Sequence, residues 1–210
     1  MTSSLTLFET VQRIVHEEVG RARTAEIGIV QEQHPHAGAS DGDNYACTVQ
    51  LRDSGLVLRR VPVATHRIGA VSIPAVGDMV LIQFVGGDLN APIVTGSLYN
   101  DEDRPPVSDD GQSIVHLPLG ASDDDAVHIE LHSGDRRALI VKLGNGLSLH
   151  AQDDDPVLEL IVDGGKASVT IDRDGAIAVA SNGKIELKGS EITIQAQGEL
   201  TLKGAKVNIN

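Results

Sequence analysis

The last forty residues restrict what this chain can fold into more than any other stretch does. From Ser168 onward the sequence reads SVTIDRDGAIAVASNGKIELKGSEITIQAQGELTLKGAKVNIN. An apolar pair split by one residue keeps returning, as Val169/Ile171, Ile177/Val179, Ile185/Leu187, Ile192/Ile194, Leu200/Leu202 and Val207/Ile209. The pairs recur every seven or eight positions, with Gly175, Gly183, Gly189, Gly198 and Gly204 marking most of the breaks. A short fixed period with turn glycines means stacked strands. Each rung has about three or four strand residues, too few for a two-residue apolar face to form a core alone. Three chains wound around one axis supply the missing interior and leave no free edge along the shaft. On this reading the twelve doublet residues are a trimer core. Glu186, Lys188, Thr193, Gln195, Thr201 and Lys203 form the solvated outer wall. The reading loses its footing if the doublets line a pocket within a lone subunit or lie bare to solvent.

Composition agrees with a turn-rich β protein. Aromatics are 2% of 210 residues and tryptophan is absent, while Gly and Pro number 22 and 8. The net charge of −13 becomes three times −13, or −39, in a trimer, a surface that repels nucleic acid and anionic lipid. Cys47 is the single cysteine, so no intrachain disulfide exists, and a small hydrophobe on a strand is its expected role. The N-terminal residues carry no basic leader followed by a long apolar run, and the expectation is synthesis in the cytoplasm without a signal peptide.

Residues 1–24 are expected to hold one amphipathic helix, capped by Thr6 with Glu9, whose stripe is Leu7, Phe8, Val11, Ile14, Val15 and Val19. That stripe packs either on the chain's own next domain or on another subunit. Residues 25–103 alternate with strand period and contain about five short strands, which suits a small closed barrel. Residues 104–167 form an acidic, proline-containing connector and a wider β-structured shoulder, and 168–210 the needle. The expected class is mainly β: N-terminal helix, OB-fold barrel, then a C-terminal trimeric β-helix.

The stretch from Pro74 to Asn100 is the most specific. It combines turns at Val76-Gly77-Asp78 and Gly86-Gly87-Asp88 with strands from Met79 to Phe84 and from Ile93 to Leu98. With Gly28, Val30, Val80, Pro92, Val94, Gly96 and Tyr99, these residues resemble the OB-fold domain of the phage baseplate assembly protein V family, the central spikes of contractile tails and related injection systems.

That resemblance implies a homotrimeric spike that joins a hub to a tip, pierces an envelope with transient membrane contact, and is assembled in a virion baseplate or extracellular contractile particle. It implies a separate hub subunit, because larger relatives that fuse hub and spike are much longer. Leu7, Phe8, Val11, Ile14 and Val15 are the expected docking stripe for it. Family needles often end in His-x-His holding iron, whereas this chain ends Lys206, Val207, Asn208, Ile209, Asn210, so no metal or other cofactor is assigned. The blunt end is left for a conical tip protein of the PAAR-repeat type, or else it frays.

Other chemistry is sparse. His128, Glu130 and His132 share one strand face, which suits a divalent metal but also any polar outward face. His34 and His36 flank Pro35 in a loop. The triplets Asp123-Asp124-Asp125 and Asp153-Asp154-Asp155 read as solvated turns or weak calcium sites. No catalytic residue is assigned, and the connector leaves no room for the lysozyme insert that some relatives carry. Two alternatives are weaker: an OB module binding nucleic acid or glycan, for which the charge has the wrong sign, and a cell-wall hydrolase.

Overall fold

The structure, a computed structural model, describes residues 7–21 and 24–208. The chain divides into two compact units, 1–105 and 106–210.

The first unit begins with helix α1 (Leu7–Arg21). Thr6, expected to cap it, and Ile209 and Asn210 at the other end lie outside the described residues. Five strands follow: β1 (Ala25–His34), β2 (Ala46–Leu51), β3 (Val57–Pro62), β4 (Met79–Phe84) and β5 (Pro92–Leu98). They form one antiparallel sheet in the order β3-β2-β1-β4-β5. Its two ends meet at a parallel bridge between Val63 and Val94, where the Ala64 N–H donates to the Val94 carbonyl at 2.8 Å. Bulges in β1, in β3 and between β4 and β5 supply the local bending that such curling needs.

The core follows the strand period. Cys47, Val49 and Leu51 alternate inward along β2, and Val80, Ile82 and Phe84 along β4, joined by Val30, Val61 and Val94. Burial pushes the Cys47 thiol up, and the charge of Asp78 adds to the effect, so it packs as a small hydrophobe. Gly28 lies where β1 crosses this core. A Cβ there would sit 2.7 Å from Ile82 Cδ1 and 3.2 Å from the Gln50 carbonyl oxygen. Because Ile82 is fully buried it has nowhere to retreat. Gly28→Ala is therefore expected to destabilise the barrel by about 1–3 kcal/mol. A urea melt checks this, and an unchanged midpoint would mean that Ile82 yields without strain.

The second unit is a seven-stranded antiparallel meander in chain order: β6 (Gln112–Leu117), β7 (Val127–Ser133), β8 (Arg137–Leu143), β9 (Leu147–Gln152), β10 (Leu158–Val162), β11 (Ala167–Ile171) and β12 (Ile177–Ser181). The first two repeats of the ladder pair with each other inside it, Val169 opposite Val179 and Ile171 opposite Ile177. Beyond the Asn182 N–H, which donates to the Lys166 carbonyl, residues 183–208 contain no strand pairing among the described residues. Both sheets are antiparallel within one chain.

Candidate functional site

Residues 183–208 present the repeat without a cover. Ile185, Leu187, Ile192, Ile194, Leu200, Leu202 and Val207 are each between 50% and 71% exposed. In strand geometry every second side chain points the same way, so each doublet would put two apolar groups on one side. The intervening residues are charged or polar. Glu186 accepts ion pairs from Lys188 at 2.9 Å and Lys184 at 3.0 Å, which hold its carboxyl below the usual range. Exposed apolar pairs thus recur along the segment, a pattern that marks an interaction surface. The helix stripe is also bare: Leu7, Phe8, Val11, Ile14 and Val15 are all at least half exposed.

The shoulder holds a polar cluster that only the pairing reveals. β6 and β7 place His116 directly opposite His128, with Nδ1 atoms 3.1 Å apart. Glu130 lies between His128 and His132, accepting from His128 Nε2 at 3.2 Å, His132 Nε2 at 2.6 Å and Gln112 Nε2 at 3.1 Å. The side chains of His128, Glu130 and His132 are 14%, 17% and 29% exposed, whereas Val127 and Leu131 on the other face are 42% and 49% exposed. The outward-facing polar row expected from the sequence is thus the better covered face in the single chain.

One end of this cluster is roofed by the β6–β7 connection. Asp123 there pairs with Lys142 Nζ at 3.2 Å, and the Lys142 hydrogen bond and charge, with smaller help from His128 and His116, hold the Asp123 carboxyl below its usual range. Gly144 fixes where this connection lies: at φ +52° its N–H donates to Ala126 O, and a Cβ would fall 2.5 Å from Asp124 O.

The barrel offers little chemistry. Phe84 is in its core, and the Tyr45 hydroxyl accepts from the Ser72 N–H at 2.7 Å, so neither is a free stacking platform. A cavity of about 300 Å³ beside the Val63–Val94 bridge is lined by Tyr45, His66, Val71 and Thr95 among others, without a carboxylate, lysine or arginine. His34, expected in a loop, closes β1 instead and is buried there, while His36 lies in the loop that follows; both serve the fold. His34 Nε2 contacts Thr48 Oγ1 at 2.8 Å, and His36 Nδ1 contacts Asp41 Oδ1 at 3.2 Å. Asp41 also accepts from the N–H groups of Ala37, Gly38 and Asp43. No helix among the described residues is long and apolar enough to cross a membrane.

The residues that carried the family resemblance turn out to build turns. Gly77 adopts φ +97°, Asp78 Oδ2 accepts from Ala75 N–H at 2.8 Å, and Gly77 N–H donates to the Val30 carbonyl at 2.9 Å. Asp88 and Asn100 cap the next two turns through the N–H groups of Asn90, and of Glu102 and Asp103. These turns lie in or beside the stretch that matches known proteins. Residues 52–99 match the type VI secretion system/phage-baseplate injector OB domain. A stretch of 40 residues is 52% identical to the type VI secretion system spike protein VgrG5 of Pseudomonas aeruginosa, covering 19% of this chain and 5% of that protein. In residues 52–99 the chain is therefore similar to the OB domain of type VI secretion system and phage-baseplate injectors.

Proposed function

We propose that the chain is the central spike of a contractile injection system or phage tail baseplate, working as a homotrimer that joins a hub to a tip and pierces the target envelope. The observation that carries this is the coexistence in one chain of an injector OB domain and, at residues 183–208, a periodic apolar row exposed along a backbone without strand partners among the described residues. Two sister copies satisfy both needs at once, since their strands accept the open hydrogen-bonding groups and their doublets cover the row. Burying the remaining exposure of each doublet side chain contributes about 1–2 kcal/mol. A shaft of this kind carries load without a catalytic group, because many backbone hydrogen bonds share the force.

The same reading assigns Leu7, Phe8, Val11, Ile14 and Val15 to a separate hub subunit, and Lys206, Val207, Asn208, Ile209 and Asn210 to a PAAR-type tip protein. The role is structural rather than enzymatic, and assembly is in a tail baseplate or extracellular particle. Light scattering on the purified chain is the direct test. The expected mass is three times 22.1 kDa, or 66.3 kDa. A mass of 22.1 kDa at micromolar concentration would remove the needle.

A further inference from the structure

The β6–β7 hairpin brings together nitrogen and oxygen donors that no part of the spike reading uses. The tautomers of the facing imidazoles follow from their outer partners. His116 Nε2 lies 3.0 Å from the Ala121 carbonyl oxygen, which can only accept, so that nitrogen carries the hydrogen. His128 Nε2 lies 3.2 Å from the Glu130 carboxylate, which also accepts from His132 and Gln112, so it carries one too. In their neutral forms both rings then turn a bare Nδ1 lone pair toward the other across 3.1 Å. Two lone pairs at that distance repel unless a positive charge lies between or beside them.

A metal ion is the occupant this geometry suits. Two imidazole nitrogens held tetrahedrally at about 2.0–2.1 Å from Zn²⁺ are separated by about 3.3 Å. The outer N–H of each ring is already anchored, one on a backbone carbonyl and one on a carboxylate, which is the arrangement that orients metal-binding histidines. A third donor is close: one ligand atom from each of His116, Asp123 and His128 lies within 4.8 Å of the others. Lys142 holds Oδ2 of Asp123, which leaves that residue one oxygen to give, and water completes the set. All three residues belong to the second unit of a single chain, so the site does not depend on how copies assemble.

We infer that His116, His128 and Asp123 form a binding site for a borderline divalent transition ion of the zinc class, pinning the β6–β7 connection onto the shoulder sheet. Imidazole nitrogen with one carboxylate oxygen selects such ions over Mg²⁺. His132 is outside the set, because Glu130 stands between it and His128.

The test is calorimetric titration of ZnCl₂ into the full-length chain after chelator treatment. One ion should bind per chain, and Mg²⁺ in its place should give no heat. His116→Gln and His128→Gln should each weaken zinc by at least about 100-fold, and Glu130→Gln, which removes only the orienting carboxylate, by about 10- to 100-fold. His36→Gln, in the other unit, should change nothing. Zinc-edge X-ray absorption on the unmutated chain guards against variants that fail to fold: two imidazole nitrogens per zinc support the site. Oxygen-only coordination, the absence of saturable binding, or affinity unchanged in His116→Gln and His128→Gln overturns it and leaves a shared proton between the two rings.

Discussion

Replacing Leu187 and Ile194 together by Asp is expected to dissolve the needle. In a trimer each substitution places three carboxylates around one axis, where they lose water and face like charges. Each such group costs several kcal/mol, more than the doublet it replaces contributes. Amide exchange across residues 183–208 should then accelerate by about 100-fold or more, the factor that corresponds to roughly 3 kcal/mol of lost protection. The scattering mass should fall from 66.3 kDa toward 22.1 kDa, unless other contacts hold the trimer, in which case exchange alone reports the loss. Thr193→Asp, one position away and on the polar side, should be within about 0.5 kcal/mol of neutral. If Leu187 and Ile194 can both become Asp with exchange and mass unaltered, these side chains do not meet at an axis.

The exposure of the doublets has to be weighed in that light. Doublets lying bare to solvent are the outcome set against the puncturing role. In the single chain the doublets of residues 183–208 are at least half exposed, so the reading stands only if two other copies supply the proposed cover. What the single chain does decide is that no segment of its own, among the described residues, lies over Ile185, Leu187, Ile192, Ile194, Leu200 or Leu202.

The barrel was the most legible part of the sequence because its signals are local. Gly77-Asp78 and Gly86-Gly87-Asp88 are turn residues whose positive φ values and side-chain caps act within three or four residues, and the strand between them alternates Val80, Ile82 and Phe84 inward. The ladder's period was visible too, but only its first two doublets form strands among the described residues, and they pair antiparallel within one chain. The shoulder cluster was not legible, because it depends on register across two strands and their connection. His116 meets His128 only if the turn around residues 118–126 has its observed length, and a shift of one residue would send the two rings to opposite faces. The sequence pointed instead to His128 with His132, neighbours on one strand, and missed His116. Two strands each carrying an apolar-His step, Val115-His116 and Val127-His128, were the available hint. Asp123 was hidden in an acidic triplet that resembles any solvated turn.

Deleting residues 1–22 is expected to abolish hub binding while leaving the trimer whole. The helix stripe had two possible roles in the sequence, packing on its own domain or on another subunit. Leu7, Phe8, Val11, Ile14 and Val15 are at least half exposed, which leaves them free for the second role. Five such side chains, each contributing about 1.5–3 kcal/mol on full burial, outweigh the ordering cost of a docked helix. Losing them should reduce recovery of the hub subunit in co-purification by at least about 1000-fold in affinity, with the scattering mass held at three times that of the shortened chain because the ladder is untouched. Phe8→Asp alone should weaken binding by an intermediate amount, since one face position then opposes an apolar groove with a charge. The two remaining outcomes discriminate further. Undiminished hub recovery would free the helix from docking, and a deletion that instead splits the trimer would place the stripe between sister chains.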